Sequence, residues 1–218
     1  MSDTDVFIVS ALRSAIALGK ESGALYPLAP VDLASKVMAE TIRRAGIDPK
    51  RLDDVIWGVV TPIGDQGANL ARLATLNANF PVHVPAISIN RMCGSSQQAV
   101  HFASQAILAG DADLVLAGGT EMMSHQMLGA DYPDEFPKSI PHDLVHQGIS
   151  AEMMAEKWNL TREEQDDFAF RSHEKAASAM DAGYFGGQIL PLTIPESENG
   201  KRKSYLFHAD EGVRRRPN

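Results

Sequence analysis

The feature that most restricts the fold of this chain is an alternation in its first 120 residues. Short apolar runs at Val6–Val9, Val55–Val60, Ala86–Ile89 and Leu114–Ala117 are separated by segments whose apolar residues recur with helical spacing. These runs read as strands, with Val6–Val9 a buried one. Between them, Pro30 opens a helix whose Leu33, Val37, Met38 and Ile42 share a face, and Gly46 closes it. Asn69–Leu76 repeats that spacing, and Gln97–Ala109 repeats it again before Gly110. Strand and helix in alternation predict an α/β layered fold.

From residue 120 onward the chain becomes Met-rich and Pro-punctuated, which divides it into an α/β domain over 1–124 and a less regular domain over 125–218. Within the second part, Thr161 followed by Glu164 is a capping box, and a long helix is expected from there to near Gly183. Leu190–Ile194 reads as a weak strand. The chain has 218 residues, 44% hydrophobic and 22% charged, enough to bury a core and unlike a disordered chain. A formal net charge of -8 argues against a general binder of nucleic-acid phosphates. No stretch approaches the roughly 20 apolar residues that cross a bilayer, so no membrane role is expected. The single cysteine excludes an intrachain disulfide, and the acidic start is unlike a secretory signal; both point to a cytoplasmic protein. Lys201, Arg202 and Lys203, then Arg214, Arg215 and Arg216, read as a solvated basic edge.

That cysteine, Cys93, lies in INRMCGSSQQA, where a predicted strand hands over to a predicted helix. Two readings are open. A lone free cysteine is most often a small buried hydrophobe. Here, though, the helix start sets partial positive charge and free N–H groups beside the sulfur, which favours the thiolate. Gly94 removes a side chain next to it, and the Cys93 N–H is offered as an oxyanion donor. Strand, nucleophile, tight turn and helix is the logic of a nucleophile elbow, and it names no substrate.

The same stretch, extended from Ile89 to Ser124, resembles the nucleophile segment of the thiolase family. The family pattern Asn-x-x-Cys-x-Ser is met by Asn90, Cys93 and Ser95, the Gly-Asp-Ala-Asp turn by Gly110–Asp113, and the Gly-Gly-x-Glu-x-Met-Ser strand end by Gly118–Ser124. Similarity extends upstream through Ala11–Ser14 and Gly23–Leu25. Downstream it runs through Gln147–Glu152, Leu160–Ala169 and Asp210–Arg214. The resemblance implies the N-terminal half of a thiolase-like layered α/β/α fold plus part of the inserted loop domain that covers the substrate. It implies an acyl-CoA C-acyltransferase: thiolytic cleavage of a 3-ketoacyl-CoA, or the reverse condensation, through an acyl-Cys93 thioester. Coenzyme A enters as substrate, and neither cofactor nor metal is expected. His146 is similar to a histidine lining the acyl and pantetheine pocket, against the plain reading of a surface or capping histidine. Gln147 stands where the family has methionine. Arg214 is a candidate partner of the CoA phosphates, against an ordinary exposed arginine. Gly118, Gly119 and Glu121 are expected to support the backbone.

The family's chemistry also uses a histidine base and a second cysteine, together with Gly-His-Pro, Asn-Glu-Ala-Phe and Cys-x-Gly motifs that do not occur in this sequence. The resemblance is therefore to the first of two similar halves, and the last strand of that half is expected beyond Asn218. A helix starting at Cys93 would then expose an apolar surface. A homodimer or tetramer is expected, with the strand before Cys93 near the partner, or association with a complementing C-terminal half. The competing reading is a non-catalytic thiolase-like fragment that dimerises or binds CoA. A ketoacyl synthase shares the fold logic but not the patterns around Gly118–Ser124 and Ser150–Ala169. A papain-like protease lacks its Cys-Trp elbow here.

Overall fold

The computed structural model describes residues 5–198 and 201–216, with the side chains of 196–198 and 201–203 outside that description. Lys201, Arg202 and Lys203 of the expected basic edge fall among the latter. The chain forms two compact units, one running through Asp131 and taken up again over Gly187–Glu211, the other made of Tyr132–Gly186 and Gly212–Asn218.

In the first unit the elements are β1 (Arg13–Ser14), α1 (Pro30–Ala45), β2 (Asp54–Gly58), α2 (Leu70–Asn77), β3 (Ala86–Ile89), α3 (Ser95–Ala109) and β4 (Val115–Gly119). Three of the strands form a parallel sheet in the order β3-β2-β4, with Val55 opposite both Ala86 and Leu116. Side chains alternate along β2, so Val55 and Trp57 pack with Met38 of α1 and Leu70 of α2, while Ile56 packs with Ala99 and Ala103 of α3. Helices thus cover both faces, which is why the strands read as continuous apolar runs. Met38 and Leu70 are wholly buried, each contributing on the order of 2 kcal/mol. The Asp53 carboxylate fixes the register by accepting the N–H groups of Asp113 and Leu114 at 2.8 and 2.9 Å, and those bonds hold it below the usual carboxylate range.

Helix α1 begins and ends where its sequence signals stand. Pro30 occupies its first turn, Asp32 faces the positive end, and Gly46 adopts φ 67 so that its N–H returns to the Arg43 carbonyl. Glu40 bonds both Arg43 and Arg44, and those side-chain bonds lower its carboxyl to about 2. Helix α3 begins two residues before the expected Gln97, at Ser95, and Gly118 and Gly119 lie inside β4 rather than after it.

Val6–Val9 is not a strand, contrary to the reading of its sequence. Phe7, Ile8 and Val9 are 75%, 78% and 66% exposed. A cavity of about 1030 Å³ is lined both by this segment and by Val115, Ala117 and Gly119 of β4. A strand is defined by a hydrogen-bonded partner, and apolar composition does not provide one.

The returning segment carries β5 (Ile189–Leu190), β6 (Leu192–Glu198) and β7 (Lys201–Phe207). The expected strand at Leu190–Ile194 is split at Pro191, which has no N–H to give a ladder. β5 pairs in parallel with β1, and β6 with β7 form an antiparallel hairpin. Beyond the hairpin, Asp210 takes both Arg13 guanidinium nitrogens at 2.8 and 3.0 Å and the Ile16 N–H at 2.8 Å. Glu211 adds the N–H groups of Leu18 and Ala24 at 2.8 and 3.2 Å. These two acids clasp the N-terminal arm.

The second unit holds α4 (Gln147–Trp158) and α5 (Arg162–Asp181). The capping box at Thr161 and Glu164 forms as expected, and the helix ends at Asp181, just before Gly183. Neither helix buries a residue, and Met153, Trp158 and Phe168 are exposed. Among the described residues no helix is long and apolar enough to cross a membrane.

Candidate active site

Cys93 stands on the turn between β3 and α3, and it is exposed. The reading of a small buried hydrophobe therefore does not describe it. The turn is tight: Gly94 N–H donates to the Arg91 carbonyl at 3.1 Å, and Ser95 N–H donates to the Met92 carbonyl at 3.0 Å. Met92 takes φ 48, a left-handed conformation that costs a residue bearing a Cβ roughly 1–2 kcal/mol. Two side chains hold it there. Asn90 Oδ1 accepts the Met92 N–H at 2.8 Å, and the Ser95 hydroxyl donates to the Met92 carbonyl at 2.5 Å while accepting the Arg91 N–H at 2.9 Å.

Below the turn, the start of α3 lies flush on the sheet because two glycines leave room for it. A Cβ on Gly58 would sit 2.5 Å from Ser96 N, and one on Gly119 would sit 2.0 Å from Ser96 Oγ. Gly118 points the other way, where a Cβ would meet the Trp57 ring at 2.5 Å. That ring is itself anchored by its Nε1–H donating to Thr120 Oγ1 at 3.0 Å. No side chain caps α3 at Gly94, and the first amide of the helix, that of Ser95, is taken by the Met92 carbonyl.

The loop after β2 is fixed by Glu121, which accepts Val60 N–H at 2.7 Å, Thr61 N–H at 3.3 Å and Gln66 Nε2 at 3.0 Å. Gln66 is fully buried and also takes the Met122 N–H at 2.7 Å. The Val60 carbonyl in turn accepts Asn90 Nδ2 at 2.8 Å. Sequence reading gave Asn90 and Ser95 as parts of a pattern without a task, and it missed Gln66 altogether. A buried glutamine leaves no sequence signal, whereas the Asn-x-x-Cys-x-Ser spacing is itself the signal for the other two.

His146 and Arg214 belong to the second unit, and Cys93 to the first. His146 is the N-cap of α4, its Nδ1 accepting the Gly148 N–H at 3.1 Å, and it is exposed. Arg214 is also exposed and donates its backbone N–H to His173 Nδ1 at 3.1 Å, while neighbouring Arg215 pairs with Asp181 at 2.7 Å. Among the described residues, no side chain hydrogen-bonds the Cys93 sulfur.

The site is thus a parallel sheet covered by helices on both faces, with an exposed thiol on a strand-turn-helix elbow. The chain matches the family model described as "Thiolase, N-terminal domain" over residues 6–217, and it belongs to the thiolase family. It is 40% identical to the steroid 3-ketoacyl-CoA thiolase FadA6 of Mycobacterium tuberculosis, over 97% of this chain and 53% of that protein. The 3-ketoacyl-CoA thiolase of Serratia proteamaculans is also 40% identical, over 96% of this chain and 54% of that protein. The solved acetyl-CoA acetyltransferase of Bacillus anthracis superposes with a TM-score of 0.81 at 36% identity, covering 97% of this chain and 55% of that one. The chain thus spans about half the length of the relatives it matches.

Proposed function

We propose that Cys93 is the acyl-accepting nucleophile of a thiolase-type acyltransferase acting on acyl-CoA, by thiolytic cleavage of a 3-ketoacyl-CoA or the reverse condensation. The observation that carries this reading is the exposed thiol on its glycine-bedded elbow, in a chain of this family. In the cleavage direction the Cys93 thiolate adds to the 3-keto carbon, and the oxyanion is met by the Cys93 N–H. Collapse breaks the bond between carbons 2 and 3, leaving an acyl-Cys93 thioester, and carbon 2 takes a proton as acetyl-CoA departs. The thiolate of a second CoA then attacks the thioester and restores Cys93.

A histidine to take the thiol proton and an acid to supply the proton at carbon 2 are also required. We place both on a complementing C-terminal half, since this chain has one cysteine and, among the described residues, no side chain bonded to it. His146 is assigned to the acyl and pantetheine pocket and Arg214 to the CoA phosphates; both are exposed and free to face a ligand. Residues 1–124 serve as the catalytic portion and 125–218 as part of the substrate-covering domain. A cytoplasmic homodimer or tetramer fits, built through β3, whose outer edge carries no strand among the described residues and whose Ile87 is exposed.

The single cysteine also favours a second reading, in which the 218-residue chain by itself is a non-catalytic module that dimerises or binds CoA. Intact-mass spectrometry after brief incubation with acetyl-CoA or acetoacetyl-CoA separates the two, with Cys93→Ala as control. One acyl group gained by the parent and absent from the variant supports the first. A folded chain that gains nothing supports the second.

A further inference from the structure

Among the described residues, Asn90 is the side chain whose hydrogen bonds tie the reactive turn to a different segment. Its Oδ1 accepts the Met92 N–H and its Nδ2 donates to the Val60 carbonyl, both at 2.8 Å. Val60 is not free to follow a moving turn, because its own N–H is held by Glu121 at 2.7 Å. On the other side of Met92, Ser95 bonds only within the turn, to Arg91 and Met92. Ser95 therefore shapes the turn, and Asn90 is the side chain whose hydrogen bonds, among those of the described residues, fix where the turn stands relative to the loop after β2.

Met92 precedes the cysteine and sits at φ 48, a conformation that persists only when its surroundings over-determine it. Relaxation of Met92 toward negative φ would rotate the peptide that joins it to Cys93. That single rotation would turn the Cys93 N–H and re-aim the thiol with it. Asn90 is exposed, so its amide is not required to fill the core. Its two bonds are used on both sides of the amide, and only asparagine offers an acceptor and a donor at that reach. Aspartate keeps the acceptor for Met92 but sets a carboxylate oxygen against the Val60 carbonyl.

We propose that Asn90 is a positioning residue for Cys93, locking the left-handed residue before it and so aiming both the thiol and its backbone N–H. This rests on the reading of Cys93 as the acyl acceptor. A positioning role predicts a loss of thiol reactivity in molecules that remain folded, whereas a merely structural role predicts a loss of folding alone.

The test compares the parent chain with Asn90→Ala and Asn90→Asp by three measurements: melting temperature, the rate constant for Cys93 with iodoacetamide, and acylation by acetyl-CoA read by intact mass. Asn90→Ala should melt within about 3 °C of the parent, as exposed substitutions do. Its alkylation should be at least about fivefold slower, because the turn no longer holds the thiol in its exposed orientation. Acylation should fall by roughly 100-fold, the cost of a misplacement near 1 Å at a reacting centre. Asn90→Asp, which keeps the bond to Met92, should fall between the two in alkylation. Alkylation of Asn90→Ala at the parental rate overturns the proposal. So does a variant that melts far below the parent yet alkylates normally at temperatures where it is folded. A parent chain that alkylates but takes no acyl group refutes the acyl-transfer reading instead, and the alkylation ratio still decides the role of Asn90.

Discussion

The bed beneath Cys93 can be tested by adding one carbon to it. In Gly58→Ala the new Cβ would lie 2.5 Å from Ser96 N, 2.6 Å from Ser95 C and 2.8 Å from Ser95 Cβ. Two of these are backbone atoms of the first turn of α3 and cannot swing aside. Restoring ordinary contact, which begins at 3.4 Å, requires the helix start to rise by about 0.9 Å. Overpacking of this kind costs about 3 kcal/mol. For a chain of this size the melting temperature should drop by roughly 6 to 12 °C. The same lift should slow Cys93 acylation or alkylation by one to two orders of magnitude, roughly. Gly187→Ala is the control, because nothing lies within 4 Å of its added carbon. Differential scanning calorimetry gives the first quantity and timed iodoacetamide labelling the second. A Gly58→Ala protein that melts within about 2 °C of the parent and labels at the parental rate would refute the claim that close contact of α3 with the sheet sets the thiol's place.

Three further predictions concern the frame. Asp210 has a folded-state carboxyl lowered chiefly by its hydrogen bond from Arg13, so its contribution is present above the ordinary carboxylate range and lost as pH falls through the lowered value. Asp210→Asn should cost about 1.5 kcal/mol near pH 7, between exposed and buried pairs, with the gap to the parent closing in acid unfolding curves. Thr61 is fully buried and its hydroxyl has no partner, so Thr61→Val should raise stability by about 1 kcal/mol in urea titration, and a loss would show that the hydroxyl is bonded after all. Thr161→Ala removes the hydroxyl that accepts the Glu164 N–H, leaves the backbone N–H bond to the Glu164 carboxylate, and should cost about 1 kcal/mol, seen as faster amide exchange over the first turn of α5.

What the sequence discloses here follows the range of the interactions involved. Helix α1 was legible because Pro30, Asp32 and Gly46 act on their own neighbours. The Thr161 capping box was legible for the same reason, its partners being three residues apart. The strands of the parallel sheet were legible because burial on both faces leaves continuous apolar runs. Val6–Val9 has the same composition and is no strand, since pairing depends on an edge elsewhere and not on the run itself. The cysteine's strand-turn-helix setting was readable, but what holds it was not. Asn90 reaches a carbonyl 30 residues away, and His125 bonds Asp65 from 60 residues away. Nor does composition disclose that Gly187–Glu211 returns to the first unit after 132–186 has left it.

The clasp at the N-terminal arm sets a schedule for synthesis. Arg13 and Asp210 are 197 residues apart, so the arm's anchor is translated long after the arm. At roughly 5–20 residues per second, the wait is on the order of 10 to 40 s. Throughout that interval the Arg13 guanidinium and the Ile16 N–H lack the carboxylate that holds them in the folded unit. An arm translated early is thus fixed late, only when the segment carrying Asp210 and Glu211 arrives.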